Sequence, residues 1–337
     1  MSGRGRYLLG KAAWAVVTVF VVVTFNFFLF RVLPGDPAKA GARDPRLSPA
    51  SVVALTERFG LNKPVFLNFE EDATSPFDSQ YFAYLGALSR GDLGTSYAFR
   101  DQSVSDLIGE ALVNTIWLVL PAQILAIVIG TALGLIAAWR RGTAIDVVSL
   151  TFSLFMWSLP TFFLAIILLV VGANYLDLPT AGKVTIGAEF GSFWEELADV
   201  LRHLAMPTLA FTLVLLGEYM LIMRSSVLDV FSEDYILTAK AKGLSTFRII
   251  KDHALRNAML PLVTIIALNL AFTVSGAIQV EQVFSWPGIG DLTVDAVAQR
   301  DYPVLQGAFL LIAVAVVLAN LLADLIYGLL DPRVSHA

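Results

Sequence analysis

Residues able to do chemistry are scarce in this chain, and most of them lack the company that chemistry needs. The run Gly5-Arg-Tyr-Leu-Leu-Gly10-Lys11-Ala12 comes within one residue of a phosphate-binding loop. Ala12 stands where a Ser or Thr hydroxyl would hold magnesium, no strand precedes the run, and an apolar stretch follows it, so it reads as a chance match. The three histidines, His203, His253 and His336, lie in different segments without the spacing of a zinc site. No Gly-x-Ser-x-Gly elbow is present. With zero cysteines, structural disulfides, thiolate metal sites and a cysteine nucleophile are excluded. Two carboxylates, Glu218 and Asp324, fall within apolar blocks, where a charge faces the inside of a helix bundle or a watery cavity. Both lie near the inner end of their block, which leaves a structural role and a place on a solute pathway open for each.

The elements around these residues are those of a membrane protein. A chain of 337 residues that is 57% hydrophobic and only 15% charged, with mean hydropathy +0.72, is too apolar for an ordinary soluble domain. Its apolar residues come in six blocks, each long enough for the roughly 20 residues that cross a bilayer: Ala12–Leu33, Leu112–Trp139, Val147–Leu176 (over-long for one span), Leu204–Met223, Met259–Val283 and Val304–Leu330. The expected fold class is therefore all-α and polytopic, with about six transmembrane helices. Arg4, Arg6 and Lys11 precede the first block as in a signal peptide, but its apolar run exceeds the usual h-region, so it is expected to remain as a span. Pro121, Pro160, Pro207 and Pro261 favour kinks, and Gly130 with Gly134 allows close helix contact.

Basic residues orient the spans. Arg140, Arg141, Arg224, Lys240, Lys242, Arg248, Lys251 and Arg256 cluster in the segments that share a side with the N-terminus, whereas Glu70-Glu71-Asp72 and Glu195-Glu196 lie opposite. Both termini are expected in the cytoplasm of a bacterial or archaeal cell membrane. The net charge of −5 is then an extracytoplasmic excess and gives no reason to expect nucleic acid. The organisation expected is one transmembrane domain, 1–337, with a polar extracytoplasmic insertion at 34–111 and a cytoplasmic loop at 224–258. Within the insertion, Ala50–Phe59 and Tyr81–Leu88 read as short helices, and Phe193–Leu201 as another in the second external loop.

The cytoplasmic loop carries the strongest local pattern. Asp234 is placed to cap a helix over Tyr235–Lys242, Gly243 to end it in a left-handed conformation, and Ser245 to cap a second helix towards Ala258 and Pro261. Such a helix–Gly–helix elbow would expose a ridge with Ala239 and Gly243, where another backbone can approach, flanked by Lys240, Lys242 and Arg248. A partner protein and a lipid-headgroup surface both fit that composition. On the other side, Trp286-Pro287-Gly288-Ile289-Gly290 favours a sharp turn, and Trp286 suits a membrane–water interface. Anchor and external gate are both open readings of it.

The full string Asp234-Tyr-Ile-Leu-Thr-Ala-Lys-Ala-Lys-Gly243-Leu244-Ser, followed by His253-Ala-Leu-Arg-Asn-Ala258, resembles the coupling loop of binding-protein-dependent ATP-binding-cassette permeases, in the peptide/nickel branch. The Glu and Pro of the broader superfamily pattern are absent. Further stretches match in order and spacing: Arg31-Val-Leu-Pro-Gly-Asp-Pro37, Phe59-Gly-Leu-Asn-Lys-Pro64, Gly91-Asp-Leu-Gly-Thr-Ser96, Val283 to Gly290, Arg300-Asp-Tyr-Pro303, and Asp324 to Arg333. The resemblance covers nearly the whole chain and points to the first-encoded permease type. It implies half of a pathway for dipeptides or oligopeptides, with a second homologous permease, two ATPase subunits and an extracytoplasmic substrate-binding protein. It also implies no cofactor in this chain, ATP and magnesium being held by the ATPases, and no enzymatic activity of its own. Asp234, Tyr235, Ala239, Lys240, Lys242, Gly243, Leu244 and Arg248 are then expected to couple to an ATPase, and Trp286, Pro287 and Gly288 to form the candidate gate or binding-protein contact. Import of a nickel chelate or another small solute fits the same architecture. A secondary transporter would need inverted repeats and buried coupling carboxylates, of which only Glu218 and Asp324 offer themselves.

Overall fold

The computed structural model describes residues 3–32, 62–69, 75–99, 102–273 and 278–330, with the backbone alone at 3–9, 267, 270–273 and 323–330. The expected helix Ala50–Phe59, the Glu70-Glu71-Asp72 run, the Asp324 side chain and the chain beyond Leu330 lie outside what is described.

Twelve helical segments follow one another among the described residues: α1 (Gly3–Val32), α2 (Gln80–Leu88), α3 (Val104–Trp139), α4 (Ala144–Ser158), α5 (Thr161–Tyr175), α6 (Phe193–Val230), α7 (Asp234–Ala241), α8 (Thr246–Ile249), α9 (Leu255–Thr273), α10 (Ile278–Val283), α11 (Ile289–Gln299) and α12 (Tyr302–Leu330). A single π-helical stretch, Ile250–Ala254, joins α8 to α9. The described residues of the apolar blocks are helical apart from Leu159, Pro160 and Leu176, as the all-α polytopic class requires. Against the six spans expected, four helices among the described residues, α1, α3, α6 and α12, are long and apolar enough to cross a membrane, and α4 with α5 makes a fifth if the bent pair is one span. The near-P-loop run lies inside α1, so its amides from Tyr7 onward are committed to the helix and the run is not the loop that a phosphate cradle needs.

Proline accounts for the over-long third block. Pro160 forces the residue before it out of the α region, and Leu159 sits at φ −72°, ψ 135°. The helix stops at Ser158 and restarts at Thr161, bent by 103°. Pro121, Pro207 and Pro261 do not break the chain in this way; each lies inside a continuous helix. The short helix expected at Phe193–Leu201 is likewise the opening of the 38-residue α6, which runs on through Pro207. Ser192 and Glu195 start it as a capping pair: the Glu195 amide donates to the Ser192 hydroxyl and the Gly191 amide to the Glu195 carboxylate.

The chain folds into two compact units. The first is built from residues 1–113 and 292–321. In it α1 meets α2 through aromatic packing of Phe27 and Phe28 on Tyr81 and Tyr84, and Thr24 and Tyr81 share a hydrogen bond of 2.8 Å. The second comprises residues 114–291 and 322–334. Its axis is α6, against which α4, α5 and α9 pack. Glycines set how closely. A Cβ at Gly217 would stand 2.5 Å from the Ser153 carbonyl oxygen, and one at Gly134 2.5 Å from that of Met220. The small-residue pair Gly130 and Gly134 thus brings α3 backbone to backbone with α6, the contact its spacing favours.

Two glycines of α3 should therefore respond oppositely to the same change. Gly134→Ala is expected to destabilise the purified protein by about 1–3 kcal/mol through overpacking. Gly109→Ala, whose Cβ would meet nothing within 4 Å, should be neutral or stabilising by about 0.5–1 kcal/mol. Thermal unfolding in detergent compares them, and equal shifts would refute the close contact.

Candidate functional site

Local chemistry builds the elbow at residues 233–258. α7 begins after Glu233, not after the expected cap Asp234, which lies in the first turn where its charge suits the helix dipole. α7 ends in a Schellman motif: the Gly243 amide donates to the Lys240 carbonyl at 2.9 Å and the Leu244 amide to the Ala239 carbonyl at 3.3 Å. Gly243 takes φ +76°, the left-handed conformation expected of it. Ser245 occupies the cap of α8, but its side chain makes no capping bond.

The elbow folds on a small apolar core of Ile236, Ala239, Ile249 and Ala254, with Val230, Phe231 and Leu244 packed on it. Ala239 is therefore not on an exposed ridge; its methyl is inside, because the Schellman turn folds that face back onto the helix that follows. The outward face carries Tyr235, Leu237 and Phe247, the last two 56% and 61% exposed, beside exposed Lys240, Lys242 and Arg248. Asn257 donates to the Tyr235 hydroxyl at 2.8 Å, and Lys240 lies 5.7 Å over the Phe231 ring. Phe247 also faces Trp139 at the end of α3, ring centres 6.5 Å apart.

Beside the elbow the sequence contains a pairing that spacing did not disclose. Arg224 on α6 donates to both oxygens of Asp146 on α4, at 2.7 and 3.0 Å, and the Gly142 amide adds a third bond at 2.9 Å. Asp146 is buried, so this fork ties α4 to the end of α6 from which the elbow leaves. Glu218, one of the two carboxylates singled out from sequence, accepts from Asn269 at 3.0 Å; Asn269 also donates to Tyr219 at 3.1 Å, and Gln123 bonds the same hydroxyl. Glu218 is half-buried, and the cluster joins α3, α6 and α9.

The Trp286 turn differs most from expectation. Trp286 is fully buried, among Leu118, Ala165, Leu204, Met206 and Phe284, and its indole N–H donates to the Asn114 carbonyl at 2.8 Å. It is neither an interfacial anchor nor an exposed contact in this chain; of the expected trio only Pro287 is exposed. The turn is held by Glu281, a third carboxylate in an apolar block and one that hydropathy concealed. Its side chain is fully buried, accepting from the Thr115 hydroxyl at 2.9 Å and the Asp291 amide at 3.1 Å, while the Ile289 amide donates to Thr115. A Cβ at Gly288 would stand 2.5 Å from the Glu281 carboxyl, and one at Gly290 2.7 Å from its oxygen, so both positions need glycine to admit the carboxylate.

In the first unit, two motifs that sequence treated separately meet. Asp301, fully buried, accepts from the Ser96 hydroxyl and from the amides of Tyr97 and Ala98 at 3.2 and 3.1 Å, and it caps α12 through Val304.

Comparison with known proteins agrees with this architecture. Residues 130–336 match the family model "Binding-protein-dependent transport system inner membrane component", and residues 5–119 match its companion N-terminal model, "Binding-prot-dependent transport system membrane comp, N-term". The chain is 35% identical over 332 residues to the oligopeptide transport system permease protein AppB of Bacillus subtilis, covering 98% of this chain and 99% of that protein. It is 34% identical over 352 residues to the dipeptide transport system permease protein DppB of Escherichia coli K12, with 98% and 99% covered. Among solved structures, an inward-facing form of the MetNI methionine ABC transporter shares the fold, with TM-score 0.53 and 15% identity over 67% of this chain and 96% of that one.

The burial of the turn gives a test within the turn itself. Trp286→Ala should destabilise the protein by about 3–5 kcal/mol, the cost of emptying a core site of that size. Gly288→Ala should also lower the yield of folded, monodisperse protein, and Pro287→Ala should leave it unchanged. Gel filtration and thermal unfolding read all three; wild-type stability of Trp286→Ala would overturn the core assignment.

Proposed function

We propose, from the premise that this chain belongs to the family of binding-protein-dependent transport system inner membrane components, that it is a permease forming half of the pathway of an ATP-driven importer for dipeptides or oligopeptides. The peptide reading is supported by the names of relatives aligned over nearly their whole length. Hydrolysis belongs to separate subunits, which hold ATP and magnesium. The complete machine in this reading has a second, similar permease, two ATPase subunits and an extracytoplasmic substrate-binding protein, with both termini of this chain in the cytoplasm.

The observation that carries the coupling role is the outward face of the elbow. A surface of Tyr235, Leu237 and Phe247 among Lys240, Lys242 and Arg248 offers apolar anchors inside a cationic rim, the composition of a protein-docking hot spot. Asp234, Gly243 and Leu244 act by shaping that face, and Ala239 by sealing its core. Motion of an ATPase would be delivered as a lever: α8, the π-helical turn and α9 form one unbroken helix from Thr246 to Thr273, leading from the elbow to Asn269 and Glu218. Glu218 is then a pathway-side group. Asp324 is proposed as a second polar group at the inner end of the last span. The Trp286 turn serves as a rigid brace of the outer half, with only Pro287 available to a docking protein.

Two experiments test this. Leu237→Ala with Phe247→Ala should leave membrane insertion intact, since both side chains are exposed, and reduce co-purification of the ATPase subunit about tenfold or more. Undiminished co-purification would remove the elbow from the coupling role. For orientation, Lys242→Cys and Ser89→Cys in this cysteine-free chain should react with an impermeant maleimide from opposite sides, position 242 from the cytoplasm. Labelling of both from one side would overturn the topology.

A further inference from the structure

In the first unit a cavity of about 270 Å³ is lined by Arg31 from the last turn of α1, Tyr84 from α2 and Gln306 from α12, with Lys63, Asp92 and Tyr97 on its wall. Two of the wall charges are answered inside the protein. Lys63 pairs with Asp78 at 2.5 Å, and the Gly94 amide donates to Asp92 at 2.8 Å. Arg31 is different. Its guanidinium lies 5.4 Å over the Phe27 ring, which holds it in place, yet it makes no hydrogen bond or ion pair among the described residues. The Tyr84 hydroxyl and the Gln306 amide nitrogen are buried without a completed hydrogen bond, although Gln306 and Asn26 stand close to Tyr84. Burial pushes the Tyr84 phenol up against the pull of those two neighbours, so the hydroxyl keeps its proton and remains a donor.

A cation and two donors without acceptors, on three separate helices around one cavity, specify an acceptor ligand. Buried polar groups are normally satisfied, and a half-buried guanidinium is satisfied best by a planar two-oxygen anion. Asp92 on the same wall disfavours a multiply charged anion and leaves a singly charged one. We propose that this cavity receives a carboxylate, with Arg31 as its counter-ion and Tyr84 and Gln306 as supporting donors. The proposal rests on the importer reading, in which this end of α1 is extracytoplasmic. There a carboxylate has two sources of the same chemistry: the C-terminus of the solute, or an acidic side chain of the docking binding protein.

The test uses the assembled complex in proteoliposomes, with wild type, Arg31→Gln and Arg31→Lys. Uptake of alanyl-alanine and of its C-terminal amide gives KM, and titration of the binding protein, loaded and empty, gives its Kd for the complex. Arg31→Gln should raise one of these constants about tenfold or more, as expected for loss of a charge-assisted bidentate contact. Arg31→Lys, which keeps the charge without the fork, should fall between and serves as the readout if the Gln variant assembles poorly. A KM rise confined to the free carboxylate identifies the solute as the source. A Kd rise equal for loaded and empty binding protein identifies the docking side chain. If both constants stay within twofold of wild type, Arg31 is an interfacial anchor and the inference is wrong. Absence of uptake in the wild type would instead overturn the importer reading, and this inference with it.

Discussion

A carboxylate taken out of water costs several kcal/mol unless donors are built around it, and in a chain this apolar that constraint fixes the fold at three places. Asp146 survives because Arg224 forks onto it and the Gly142 amide completes its shell. Glu281 survives because Thr115 and the Asp291 amide reach it and two glycines clear the space. Asp301 survives because the backbone of Tyr97 and Ala98 curls around it with the Ser96 hydroxyl. Each joins segments far apart in sequence. Removing one partner would leave an uncompensated buried charge, which is strongly destabilising.

The elbow is made by opposite means. Its bonds are local, a Schellman turn and a four-residue apolar core, and its polar side chains face outward. An element built in this way takes its shape mainly from its own residues, with Val230 and Phe231 closing its core, and it leaves large apolar side chains exposed. The π-helical turn at Ile250–Ala254 sits where the elbow passes into the long helix, a place where such turns recur at functional sites. Elbow, wide turn and continuous helix run without a break to Asn269, which bonds Glu218 and Tyr219.

Several of these features were legible in the residues. Apolar blocks gave the helices and the class, since the requirement for internal backbone bonding in a bilayer admits few alternatives. Gly243 announced its positive φ, and Gly130 and Gly134 their close contact, because each is decided within a few residues. Pro160 was equally visible as a disturbance, but whether a proline breaks a helix or is absorbed depends on its neighbours. Leu159 turned out of the helix, whereas the helices around Pro121, Pro207 and Pro261 continued.

Which side of an element faces in was not legible, and the two clearest misreadings, Ala239 and Trp286, share that cause. Composition made Ala239 a place for close approach and Trp286 an interfacial ring; packing put both in a core. Glu281 escaped notice for a related reason, since one acid in an apolar block says nothing about the Thr115 hydroxyl 166 residues away that makes its burial tolerable. Sequence by itself determined the all-α class, the basic elbow and the family motifs, all carried by short-range pattern. It did not determine the number of spans, which is four or five among the described residues against six expected. Tertiary structure alone decided the partners of Asp146, Glu281 and Asp301, because a charge in a membrane protein is assigned its role by whichever distant donor or acceptor the fold delivers to it.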